Sequence, residues 1–134
     1  MSFTRFRLLA ISLGFCLAIL GSVPGTAAEF RRFDAQQFAA AQQQGLPILV
    51  DVHATWCPIC ASQGRTIRKV VASPQFDKLV IFQIDYDDQK SDWRSFAVNR
   101  QGTLIAFRGK QELGRLAFQT DRSKIEGLLA STVH

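Results

Sequence analysis

Ile48-Leu49-Val50-Asp51-Val52-His53-Ala54-Thr55-Trp56-Cys57-Pro58-Ile59-Cys60 is the stretch on which the reading of this chain turns. Pro47 opens it, and the near-continuous apolar run from Ile48 to Val52 suits a strand buried on both faces. The run leads into two cysteines spaced C-x-x-C, with Pro58 directly after the first. Proline suits the first position of a helix, where the N–H it lacks would have no partner and its fixed φ is already helical. A buried strand is therefore predicted to pass into a helix at the Cys57-Pro58 step. That helix is expected to run through Ile67, Val70 and Val71 to about Ala72.

Upstream, Asp34 is placed to cap a helix carrying Ala35, Phe38, Ala39 and Ala41, which ends before Gly45. Downstream, Leu79 to Ile84 reads as a second buried strand, and Asp87 to Val98 as a helix with Trp93, Phe96 and Ala97 on its apolar face. Thr103–Phe107 and Glu112–Phe118 flank the turn Arg108-Gly109-Lys110-Gln111, a hairpin pattern. A last helix, capped near Thr120 or Asp121, presents Ile125, Leu128 and Leu129. The order is helix, strand, helix, strand, helix, hairpin, helix. It implies an α/β domain whose central mixed sheet, parallel inside and antiparallel at the hairpin, is covered by helices on both faces.

The 134 residues suffice for one domain. Residues 1–28 read as a secretory signal peptide, and 29–134 as the folded domain. Arg5 and Arg7 form a basic start, Leu8 to Leu20 carries no charge, and Ser22 to Ala28 supplies small residues for cleavage after Ala28. The alternative is an uncleaved anchor, though the run is short for a span of about 20 apolar residues. An exported, periplasmic location is therefore expected. Cys16 would leave with the signal, so only Cys57 and Cys60 would remain. Two cysteines spaced this closely make no disulfide framework and favour redox chemistry. The net charge of +5 includes Arg5 and Arg7. What remains makes no basic patch, and no nucleic-acid motif accompanies it.

A cysteine attacks only as its thiolate, and the unpaired N–H groups and positive dipole at a helix start favour that anion. Cys57 is thus assigned as the exposed attacking sulfur. Cys60, one turn inside, is assigned as the shielded sulfur that resolves the mixed disulfide. The thiolate could accept N–H bonds from Ile59 and Cys60. Asp51, in an apolar strand, should have a raised pKa and could serve as base for the Cys60 thiol; fixing a loop by hydrogen bonds is the alternative. His53 lies on the same strand face as Asp51. Structural zinc would need a second ligand pair, which His53 and His134 do not provide. Two thiolates alone would suffice for a soft metal such as Cu(I).

The segment from Ile48 to Cys60 resembles the active-site segment of the thioredoxin family, a strand with a buried Asp leading into W-C-x-x-C. The likeness runs from about Phe30 to the C-terminus. Ile84-Asp85-Tyr86-Asp87 resembles the family's third-strand V-D-x-D pattern, and Thr103-Leu104-Ile105-Ala106-Phe107-Arg108-Gly109-Lys110 resembles its T-L-x-x-F-x-x-G edge. The resemblance implies a thioredoxin-like fold and a thiol–disulfide oxidoreductase acting on protein disulfides through Cys57 and Cys60, with Asp51 as the buried base. His53 fills a position that is otherwise aromatic in the family. Trp56, Gly102 and Thr103 are the implied client-contacting residues, although the reading of Trp56 that comes first is packing in the wall of the site. The dithiol is itself the redox centre, so no cofactor and no metal are implied.

The chain departs from the family in two places. The cis-proline that faces the dithiol is replaced by Gly102, and no proline follows Pro74. Restoring it as Gly102→Pro is expected to alter client turnover more than stability. The dipeptide Pro58-Ile59 differs from the Gly-Pro of reducing thioredoxins and leaves Ile59 its N–H. If that donor engages the thiolate, the potential should rise to about −240 to −210 mV, against roughly −270 mV for thioredoxin. The resulting expectation is a monomeric exported reductase fed by a membrane electron carrier, because cytosolic reductants cannot reach an exported thiol. A disulfide-donating oxidant and a copper-handling or other metal-binding module are the alternatives.

Overall fold

The computed structural model describes residues 27–134, so the expected signal segment falls almost wholly outside the described residues. Ten elements follow in order: β1 (Glu29–Arg32), α1 (Ala35–Gln43), β2 (Pro47–His53), α2 (Pro58–Val70), a 3₁₀ turn (Pro74–Phe76), β3 (Val80–Asp85), α3 (Lys90–Ser95), β4 (Thr103–Arg108), β5 (Gln111–Ala117) and α4 (Arg122–Ser131). The sheet order is β1-β3-β2-β4-β5. β1 and β2 both run parallel to β3, whereas β4 is antiparallel to β2 and β5 to β4. The expected mixed sheet is therefore present.

β1 was not expected. Glu29-Phe30-Arg31-Arg32 holds one apolar residue among three charged ones, so no alternating pattern marks it. It forms because its backbone completes the edge of β3, and its charges suit an edge that must not pair with another chain. α3 is shorter than the predicted Asp87–Val98. The Asp85 carboxylate accepts the N–H groups of Asp87 and Asp88 at 2.9 Å each, holding the chain in a turn before the helix can start. α1 matches its expectation, with the Asp34 carboxylate accepting from Gln37 N–H at 2.9 Å.

Strand alternation divides the core in two. Ile48, Val50 and Val52 of β2, with Phe82 and Ile84 of β3, pack with Phe38 of α1, Trp93 of α3 and Phe33 of the segment between β1 and α1. Leu49, Ile81 and Leu104 face α2 and α4 through Ile67, Ile125 and Leu129. Fully burying each such side chain contributes about 1.5–3 kcal/mol. On this second face the apolar series stops at Leu49, and the next residues of that alternation are Asp51 and His53. Their strand partners are Gln83 and Asp85. The C-terminal end of the sheet thus turns polar where β2 delivers the chain to Cys57.

α4 is tied to the sheet by Arg108, whose guanidinium donates to the carbonyls of Ser131 at 2.7 Å and Thr132 at 3.2 Å, and also to that of His134. A cation there also suits the negative end of the helix. Among the described residues, no helix is long and apolar enough to cross a membrane.

Candidate active site

Cys57 is the N-cap of α2, in extended conformation, with Pro58 at the first helical position. Its Sγ accepts the Cys60 N–H at 3.1 Å, satisfying one of the free donors of the first turn. Cys57 and Cys60 are joined in a disulfide with their Cα atoms 5.3 Å apart. One sequence expectation is corrected here. Cys57 is not the exposed partner: it is 3% exposed and Cys60 7%, because Ala54, Ile59 and Tyr86 pack over the pair. In this disulfide form the third helical N–H, that of Cys60, is the donor that reaches Cys57 Sγ; the expected Ile59 donor concerns the thiolate.

Both cysteines line a cleft of about 490 Å³, together with Asp51, His53, Arg65, Arg68 and Gln83. Asp51 is buried and accepts one hydrogen bond, from Gln83 Nε2 at 3.2 Å. Burial raises its carboxyl pKa; the charges of His53 and Arg68 and the Gln83 hydrogen bond oppose that rise. A carboxyl so placed holds its proton more tightly than a free one and opens on the cleft that Cys60 also lines. His53 does lie on the Asp51 face, half-buried, with a buried Nδ1 that has no hydrogen-bond partner.

The three implied client-contacting residues differ in exposure. Trp56 is 58% exposed, its indole N–H donating to Asp87 Oδ2 at 2.8 Å. Thr103 is buried, and its hydroxyl donates to Arg100 O at 2.9 Å. Gly102 is buried as well, at φ +75° and without a cis peptide. Its N–H donates to Val52 O at 2.7 Å and its carbonyl accepts from Phe118 N–H at 2.8 Å. A Cβ at Gly102 would stand 3.2 Å from Phe118 Cδ2 and 3.5 Å from Ile59 Cγ2. Proline cannot adopt that φ or supply that N–H. Because that N–H is bonded and φ is positive, Gly102→Pro carries a direct stability cost beside any effect on turnover.

The roles of four residues at this site went unread in the sequence. Gln83 and Asp87 bind Asp51 and Trp56 from β3 and the loop after it, contacts that no local pattern encodes. Phe118, at φ +56° and 38% exposed, lies against Gly102 beneath the Arg100 guanidinium, 3.7 Å from its ring centre. Gln63 is fully buried on α2. Its signal was available: it falls four residues before Ile67, a polar side chain on an apolar helical face.

This arrangement holds the groups that thiol–disulfide exchange requires, a disulfide at a helix start and a buried carboxyl lining the same cleft. A disulfide at the mouth of a helix, over a buried carboxyl at the end of a parallel strand pair, defines a thioredoxin-fold redox domain. Among the described residues, no three or more His, Cys, Asp or Glu side chains are grouped to hold a metal ion. The sequence profile of the thioredoxin family matches residues 29–131, and the chain belongs to that family. It is 34% identical over 83 residues to the bifunctional thioredoxin reductase/thioredoxin of Mycobacterium leprae, covering 62% of this chain and 18% of that protein. It is 29% identical to the mitochondrial thioredoxin of Bos taurus, covering 65% of this chain and 52% of the relative, so it spans about half that length or less in both. Among solved structures, Trxlp from Edwardsiella tarda is similar, with a TM-score of 0.73 and 36% identity over 75% of this chain and 98% of that one. The Malassezia sympodialis thioredoxin, at a TM-score of 0.69 and 20% identity over 81% of this chain and 96% of that one, shares the fold.

Proposed function

We propose that this chain is an exported thiol–disulfide oxidoreductase that reduces protein disulfides, with residues 1–28 removed as a signal peptide and 29–134 acting as a monomer. The observation that carries the reading is the Cys57–Cys60 disulfide at the start of α2. In the reduced enzyme the Cys57 thiolate attacks a client disulfide, forming a mixed disulfide and releasing one client thiolate. Asp51 accepts the Cys60 proton through the shared cleft. The Cys60 thiolate then attacks Cys57 Sγ, which releases the second client thiol and leaves the Cys57–Cys60 disulfide. The client gains two electrons and the enzyme loses two.

Regeneration requires a dithiol reductant. The basic start, apolar run and small-residue end of residues 1–28 favour export, and an exported thiol favours a membrane electron carrier as that reductant. The M. leprae relative is named a bifunctional thioredoxin reductase/thioredoxin, which supports the reducing direction.

Three measurements test the reading: insulin-disulfide reduction, N-terminal sequencing of the protein from fractionated cells, and alkylation of its cysteines in those cells. The expected results are catalysed insulin reduction, a mature N-terminus at Glu29 in the exported fraction, and largely reduced thiols. An intact N-terminus in the cytosol would overturn export. A protein held mainly as the disulfide would favour donation to folding clients, and a copper-loaded dithiol inactive on insulin would favour metal handling.

A further inference from the structure

Gln63 is a long polar side chain with no exposed surface, and burying an amide is costly unless its polar atoms are satisfied. It lies on α2 three residues beyond Cys60. Its Nε2 donates to Gly102 O at 3.0 Å and to Gln119 O at 2.9 Å. These carbonyls belong to different loops, one entering β4 and the other leaving β5. The Gly102 carbonyl thus has two donors, Gln63 and Phe118, while its N–H is held by Val52. A single side chain therefore joins the dithiol helix to both loops, and the Gly102 loop lies against Ile59, between the two cysteines in sequence. Gln63 Oε1, in contrast, is buried with no partner. The structure bears that cost and keeps the two N–H bonds.

The joined loops are where a rigid proline turn would stand, and glycine cannot supply that rigidity. Gly102 adopts φ +75°, a region most residues avoid, and the Phe118 ring and Ile59 lie against it. Backbone freedom at 102 is removed from outside the residue, through the amide on α2.

We infer that Gln63 is a positioning residue for protein-disulfide docking: it holds the Gly102–Thr103 turn in register with Cys57 and Cys60, as a substitute for the missing proline. The inference rests on protein disulfides being the substrates. Gln63 touches neither sulfur, so its effect should fall on docking rather than on the exchange step.

The experiment compares wild type, Gln63→Leu and Gln63→Glu on insulin and on the small aromatic disulfide 5,5′-dithiobis(2-nitrobenzoate), with redox potentials measured alongside. Two neutral hydrogen bonds in the lower half of their usual net strength correspond to about a tenfold change. Gln63→Leu should therefore raise KM for insulin about tenfold, with kcat on insulin, turnover of the small disulfide and the potential all unchanged. Gln63→Glu should approach wild type at low pH, where its protonated carboxyl can donate one bond, and should lose insulin affinity as that proton leaves. In wild type, both side-chain amide protons of Gln63 should exchange slowly with solvent, a reading that needs no variant. Unchanged insulin KM in Gln63→Leu, equal losses on both substrates, or fast exchange of the amide protons would each overturn the inference. A wild type active only on the small disulfide would instead overturn the protein-substrate reading, and this inference with it.

Discussion

Gln83 Nε2 donates to Asp51 Oδ2 at 3.2 Å, across the β2–β3 register that sets these two residues side by side. A neutral amide is the carboxyl's one hydrogen-bond partner among the described residues, and its countercharges come from His53 and Arg68. The balance leaves the Asp51 pKa raised, with burial the largest cause. Both stability and turnover depend on that balance.

With the folded pKa above the unfolded value of about 3.9, the native state binds the Asp51 proton more tightly than the unfolded chain. Its contribution to stability is fully present below about pH 4 and is lost as pH rises through the folded value. Asp51→Asn should therefore melt several degrees above wild type at pH 8, the gap closing toward pH 4. Calorimetry across that range checks this; a gap that widens on acidification would contradict it. The same variant should slow release of the mixed disulfide by roughly a hundredfold, the lower end for a general base, because the open cleft admits water as a substitute.

Since both sulfurs are buried, exposure does not assign their roles; helix position does. Cys60→Ser should accumulate mixed disulfides with clients, and Cys57→Ser should accumulate almost none. Trapping on a thiol-reactive client, read by non-reducing gels, decides the matter. Equal trapping by the two variants would sink the assignment.

Gly102→Pro should lose roughly 3 kcal/mol or more, from the Val52 hydrogen bond and the forced change of φ. Gly102→Ala keeps the N–H and should lose about 1–2 kcal/mol, the penalty of a left-handed Cβ, here pressed against the Phe118 ring. Urea denaturation of both variants measures the order, and a proline variant as stable as wild type would refute it.

One N–H, that of Cys60, reaches Cys57 Sγ, and the Pro58-Ile59 dipeptide adds no donor in this form. The potential should then lie within about 30 mV of thioredoxin's roughly −270 mV. Equilibration with glutathione measures it. A value above about −240 mV, toward −210 mV, would show that Ile59 N–H engages the sulfur once the disulfide opens.

The legible parts of the chain are those where local pattern and tertiary role coincide. Ile48 to Val52 reads as a buried strand because the sheet covers both its faces, and Pro58 reads as a helix start because its geometry is intrinsic. β1 stayed hidden because its strand state comes from β3 and not from Glu29-Phe30-Arg31-Arg32 itself. Gly102 was found as a departure, but its conformation depends on Gln63, Val52 and Phe118, which lie far from it in sequence. Gln83 is likewise an ordinary residue until the fold brings it to Asp51, and Asp87, legible as part of the V-D-x-D pattern, gains its contact with Trp56 only through the fold.

The chain has two tryptophans, and the fold gives them opposite surroundings. Trp56 is half in water beside Cys57, whereas Trp93 is 7% exposed and stacked on Tyr86 with ring centres 4.8 Å apart. Their emission should therefore separate: a red-shifted, iodide-quenchable component from Trp56 that brightens when the adjoining disulfide is reduced, and a blue-shifted component from Trp93 that does not respond. Intrinsic fluorescence can thus follow the redox state of Cys57 and Cys60 in real time without a label, with Trp93 as the internal standard.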